Sequence, residues 1–141
     1  MTVSVDASSE APLGRVGPRR FLDWVAGCDV LFANEAEAAI LADVTDPEAS
    51  ARALASNASG VVVKLGERGS LWYGPADGIV RVPALPGRVV DTTGAGDAFC
   101  AGFLAAWLGG AAPGGALEAG TRLATAAIGG VGGRPRRPAG P

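Results

Sequence analysis

At 141 residues the chain has room for one compact domain with a sizeable core and not for two of ordinary size, so it reads as a single unit. A hydrophobic share of 48% against 18% charged residues excludes a disordered or fibrous protein, and a formal charge of -2 with scattered basic residues excludes a broad electropositive face for nucleic acid. The absence of histidine, with Cys28 and Cys100 outside metal-ligand spacing, removes most zinc sites and every histidine-based triad, and fits a reduced, cytoplasmic setting.

In chain order, Thr2 to Val5 alternates polar and β-branched residues and predicts a short strand, closed by Asp6 and a Ser/Pro/Gly-rich connection. Asp6 and Glu10 stand where an export signal would be basic, and no stretch approaches membrane-spanning length, so neither export nor insertion is expected. From Pro18 to Cys28, Phe21, Leu22, Trp24, Val25 and Cys28 recur at helical spacing, with Pro18 near the start and Gly27 near the end. Asp29 to Ala33 is a brief apolar run of buried-strand length, followed by Asn34 as an N-cap and a helix through Leu41. A second helix is predicted from Pro47 to Asn57, then a β-branched strand from Gly60 to Gly66. Ser70 to Tyr73 and Ile79 to Val82, separated by Gly74 to Gly78, form a hairpin pattern. Helices follow from Ala95 to Leu108 and from Ala116 to Ile128, with Gly109 to Gly115 between them. Residues 129–141 are Gly/Pro/Arg-rich, with Arg134, Arg136 and Arg137, and are expected to be a flexible tail. Strands alternating with helices, plus one hairpin, predict an α/β layered architecture on a mixed sheet.

The string Asp91-Thr92-Thr93-Gly94-Ala95-Gly96-Asp97-Ala98-Phe99 concentrates the chemistry. Glycines at a loop that enters an apolar helix let successive N–H groups point into one concavity. The positive end of the helix dipole adds to the attraction, so a phosphate is the natural guest. A carboxylate in the same turn would repel that anion, which suits a base better than a purely structural site. Asp97 as a helix cap and the glycines as a chain turn are the simpler alternative.

This string resembles the C-terminal signature of the ribokinase-like, or PfkB, family of carbohydrate kinases, D-T-x-G-A-G-D-x-F, and the match continues through Ala101-Gly102-Phe103. The resemblance implies that Asp97 is the base that deprotonates an acceptor hydroxyl and that Gly94, Ala95 and Gly96 form the anion hole. It also implies that Asp91 lies at a monovalent-cation site, making K+ a candidate ligand. Asn34-Glu35-Ala36-Glu37 resembles the family's N-x-x-E motif, in which Asn34 and Glu37 would organise Mg2+ and its waters around ATP; a capping box explains the same spacing. Lys64-Leu65-Gly66-Glu67-Arg68-Gly69 resembles the family's T-L-G-x-x-G turn beside the nucleotide, with Lys64 in place of the usual Thr or Ser. A lysine could approach a phosphate there, and a turn that needs Gly66 and Gly69 is the even alternative. The helix from Ala116 to Ala127 resembles the one that walls the adenine pocket, with Thr125 on the nucleotide side; helix packing explains its small residues equally well.

Family members are about twice this length, and their first half supplies the opening strands, a lid and most acceptor contacts. The resemblance therefore implies that residues 1–128 are the ATP-binding, C-terminal half of a ribokinase-like domain, with Asp6 left near the site. A sheet lacking half its strands exposes edges and apolar faces, so a marginal or self-associating chain is expected, partnered by a second copy or by a complementary N-terminal half. The function implied is ATP-dependent phosphoryl transfer to a hydroxyl of a sugar or related small molecule. The alternative is a non-catalytic nucleotide-binding or interaction remnant. A dinucleotide-binding oxidoreductase is remote, since Gly94 to Phe99 lacks the last small residue of G-x-G-x-x-G.

Overall fold

The computed structural model describes residues 1–8 and 10–130, so that most of the expected tail, from residue 131 on, lies outside the described residues. The chain divides into two compact units, the first ending at Pro83 and the second beginning at Ala84.

The first unit is a five-stranded sheet with four helices. Its elements are β1 (Ser4–Asp6), α1 (Glu10–Val16), α2 (Pro18–Val25), β2 (Cys28–Asn34), α3 (Glu35–Ala42), α4 (Pro47–Leu54), β3 (Ala58–Lys64), β4 (Ser70–Gly74) and β5 (Gly78–Val82). The strands lie in sequence order, with β1, β2 and β3 parallel and β4 and β5 antiparallel. The parallel part follows from the helical crossovers and the antiparallel part from the hairpin, whose turn rests on Gly78 at φ 70.

Side-chain alternation gives the sheet two distinct faces. Leu31, Ala33, Val61, Val63 and Leu71 pack with Leu13, Ala38, Leu41, Ala51 and Leu54 of the helices in one core. The alternate residues Val30, Phe32, Val62 and Trp72 are buried as well, so the central strands are apolar on both sides. Gly60 and Gly74 are shaped by Trp72: a Cβ on Gly60 would fall 1.9 Å from the indole, and one on Gly74 would fall 2.9 Å from Nε1. The indole thus lies flat over the strand, with Nε1 donating to Asp77 Oδ2 at 3.3 Å.

Several boundaries in the first unit differ from the sequence expectation; α4 ends at Leu54 and β3 runs from Ala58 to Lys64, each a few residues early. Glu10–Val16 is helical where a Ser/Pro/Gly-rich connection was expected. Leu13 anchors it in the core, and Pro12 sits early in the helix, where a missing N–H costs little. The helix from Pro18 stops at Val25, since Gly27 takes φ 81 and donates to the Asn57 carbonyl, and Cys28 enters the ladder opposite Ala58. The first strand begins at Ser4, and Val3 is tied to the start of β2 by its amide on Asp29 Oδ2 at 2.8 Å.

The second unit carries an extended segment followed by α5 (Ala95–Leu108) and α6 (Pro113–Ile128). The two helices pack backbone to backbone. A Cβ on Gly102 would fall 2.7 Å from the Ala119 carbonyl oxygen, and one on Gly120 would fall 2.9 Å from the Phe99 carbonyl oxygen. Phe103 and Leu117 are fully buried. α6 starts at Pro113, so Gly114 and Gly115, expected in the connection, form its first turn.

Candidate active site

In the first unit the chemistry gathers at one end of the sheet. β1 ends at Asp6, β2 at Asn34 and β3 at Lys64, and the register sets Asp6 opposite Phe32 and Asn34 opposite Lys64. Ser70, the first residue of β4, pairs with Lys64. By alternation Asp6, Asn34, Lys64 and Ser70 share the sheet face turned away from α1–α4, at the carboxyl ends of the parallel strands, where open α/β sheets bind their ligands.

Asn34 caps α3. Its Oδ1 accepts from the Glu37 amide at 2.8 Å, and Glu37 Oε2 accepts from the Asn34 amide at 2.8 Å, so the capping box is formed. Glu37 is only 4% exposed, and the cap fixes its carboxylate beside the end of β2. Lys64 Nζ donates to Asp6 Oδ2 at 2.8 Å, with side-chain exposures of 18% and 22%, so the pair is largely shielded from water and ties β1 to β3 across β2. The turn after Lys64 closes through Leu65 N–H on the Gly69 carbonyl at 2.8 Å. Gly66 takes φ 60 and Gly69 takes φ 91 with ψ -136, so both glycines meet a conformational demand, and a Cβ on Gly66 would meet nothing within 4 Å. Arg68 of this turn pairs with Glu35 in the first turn of α3.

In the second unit the signature string folds as a turn feeding a helix. The amides of Val90 and Asp91 donate to the Ile128 carbonyl at 2.8 and 3.3 Å, which fastens the segment to the end of α6. Asp91 Oδ1 accepts from the Thr93 amide at 2.8 Å, and Gly94 takes φ 78, ψ 2, a left-handed conformation that turns the chain into α5. Ala95 N–H is used by the Thr92 carbonyl and Ala98 N–H by the Gly94 carbonyl. The amides of Gly96 and Asp97, between them, have no acceptor among the described residues, as the first turn of a helix requires. Asp97 is exposed in that turn, and Gly94, Ala95 and Gly96 are half-exposed. Thr125 lies one turn before the end of α6, where its Oγ1 donates to the Thr121 carbonyl at 2.8 Å and its methyl faces Gly87.

The Asp6–Lys64 pair went unread in the sequence, because its partners are 58 positions apart and meet only through strand order. Their common position at strand ends was the available signal. Of the cysteines, Cys28 is buried, and that burial, reinforced by Asp29, raises its thiol above the ordinary range and keeps it protonated. Among the described residues no group of three or more acidic or cysteine side chains could hold a metal by itself, and no helix is long and apolar enough to cross a membrane.

The sequence profile of the pfkB family carbohydrate kinases matches residues 7–139. The chain belongs to this family. An ATP-dependent ribose-1-phosphate kinase from Halopiger xanaduensis is 40% identical over 109 residues, covering 77% of this chain and 33% of its own length. A probable sugar kinase from Rhizobium etli superposes with a TM-score of 0.88 at 30% identity, over 96% of this chain and 42% of that one. Adenosine kinase from Sinorhizobium meliloti gives 0.86 at 32% identity, over 95% and 41%. The pfkB chain described here thus spans about a third of the length of its curated relative and about two fifths of its structural ones. Its α/β mixed sheet with flanking helices is the ribokinase-type fold, and its relatives are sugar and nucleoside kinases.

Proposed function

We propose that this chain is the ATP-handling part of a kinase that transfers the terminal phosphoryl group of ATP to a hydroxyl of a sugar or related small molecule. The observation that carries the reading is the turn at Gly94: a left-handed glycine opens a helix whose Gly96 and Asp97 amides have no acceptor among the described residues, with the Asp97 carboxylate exposed in the same turn. In this reading the amides of Gly94 and Gly96, joined by that of Asp97, stabilise charge on the transferring phosphoryl group, while the Ala95 amide, expected in the same anion hole, is taken by the Thr92 carbonyl; the Asp97 carboxylate takes the proton from the acceptor hydroxyl.

Lys64 and the turn from Gly66 to Gly69 serve the nucleotide phosphates, and Thr125 serves the nucleotide from α6. The donor set at Asn34 and Glu37 fits Mg2+ held through water: the capping box commits Asn34 Oδ1 and Glu37 Oε2, which leaves Glu37 Oε1 to accept from a metal-bound water. When bound, the metal would neutralise phosphate charge. Asp91 Oδ1 accepts from Thr93 N–H, and a K+ ion at this loop would draw on the Asp91 carboxylate and nearby carbonyls. The cytoplasm supplies both ions and ATP.

β1 is an edge strand, with Val3 and Ser4 exposed, and a second copy or a complementary N-terminal half would cover that edge. The rival reading is a nucleotide-binding or interaction module of the same family without turnover. Calorimetric titration with MgATP, followed by a phosphoryl-transfer screen over sugars and nucleosides, separates the two. Binding with transfer supports the kinase, binding without transfer supports the remnant, and no binding overturns both.

A further inference from the structure

We propose that Asp6 acts as a counter-ion latch on Lys64, setting how readily this lysine takes a nucleotide phosphate. The inference rests on the nucleotide reading above and concerns Asp6, a residue outside the three motifs. The lysine sits at the carboxyl end of β3, two residues before the turn that opens at Gly66, on the ligand-binding edge of the sheet. Its ammonium reaches past Asn34, the register neighbour on β2, to the Asp6 carboxylate at 2.8 Å on β1. With about a fifth of each side chain exposed, the pair is weakly screened, so the carboxylate offsets most of the positive potential that a phosphate would meet. An incoming phosphate must share the ammonium with Asp6 or displace it, and the neighbouring carboxylate repels the phosphate in either case.

Asp6 therefore acts through Lys64, as a positioning and tuning residue. Neutralising it should leave more of the Lys64 charge to the phosphate. The same substitution should loosen β1, since the pair is a cross-strand tie at the sheet edge.

The test is MgATP titration calorimetry on the 141-residue chain and its Asp6→Asn, Lys64→Met and double variants, with melting by circular dichroism alongside. Asp6→Asn should bind MgATP about five-fold tighter than the unmodified chain while melting lower, an opposition that a merely structural residue would not produce. Lys64→Met should bind more weakly, and in its background Asp6→Asn should give no gain. Asp6→Thr, suited to a strand, gives the same reading if Asp6→Asn is poorly folded. Unchanged or weaker binding on loss of Asp6, or a gain that persists without Lys64, would overturn the latch while leaving the nucleotide reading intact. No MgATP binding by the unmodified chain or any variant would overturn the nucleotide reading and the latch with it.

Discussion

Replacing Gly102 with alanine is expected to destabilise the α5–α6 pair, although the same change in most helix interiors is favourable. The new Cβ would stand 2.7 Å from the Ala119 carbonyl oxygen and 3.0 Å from Gly120 Cα, both backbone atoms that no rotamer change can remove. Ordinary carbon contacts need roughly 3.5 Å, so the helices must separate by about half an ångström or more. Overpacking of this kind costs about 1–3 kcal/mol, and the gain in helix propensity returns about 1 kcal/mol. The net is a loss of up to roughly 2 kcal/mol. Gly115 is the internal control: it is exposed in the first turn of α6, and a Cβ there would meet only Ala111 Cβ, at 3.8 Å. Gly115→Ala should therefore stabilise by about 0.5–1 kcal/mol. Urea unfolding followed by circular dichroism and tryptophan fluorescence should place the two midpoints on opposite sides of the unmodified chain, separated by about 1 M. If Gly102→Ala shifts the midpoint upward as Gly115→Ala does, the close backbone packing of α5 on α6 is wrong.

Three further outcomes are expected. Gly69→Ala should cost about 1–3 kcal/mol in thermal or urea melts, since φ 91 with ψ -136 is open essentially to glycine alone, and a neutral result would contradict that backbone. Asn34→Ala should lose about 1 kcal/mol of stability with the cap and should weaken MgATP binding more than Mg-free ATP binding, because Glu37 loses the group that fixes it; equal weakening of both would detach the capping box from the metal. Ser70→Ala should leave stability unchanged or raise it by about 1 kcal/mol, since the Ser70 hydroxyl is buried with no hydrogen-bond partner among the described residues, and a large loss would show that it has one.

The parts of this protein that were legible in its sequence are those whose physics is local. Asn34 and Glu37 lie three positions apart, so both the capping box and the metal motif could be read from the string, and the box is formed. The turn into α5 was legible because Gly94 and Asp97 sit within a single helical turn. The β-branched run at Val61 to Val63 announced a central strand without ambiguity. The helix Glu10–Val16 was hidden because it is short and Leu13 is its one buried side chain among those described, too little periodicity to outweigh the turn-forming residues around it. Contacts between distant positions were hidden for a different reason. Lys64 meets Asp6, Trp72 lies over Gly60, and Gly102 approaches Ala119 only once strand order and helix pairing are set. Each glycine in those pairs looked like a turn or a small-residue filler, and only the fold reveals the atom it makes room for.

The central claim is that the turn opening at Gly94 receives the phosphoryl group of ATP while Asp97 serves as the base. The most direct measurement compares Asp97→Asn with the unmodified sequence, both supplied with a complementary N-terminal half, for MgATP affinity and for transfer to a sugar or nucleoside. Transfer should fall by about a thousand-fold or more while affinity changes less than a few-fold. A variant that keeps near-normal transfer, or that loses nucleotide binding altogether, would contradict the account.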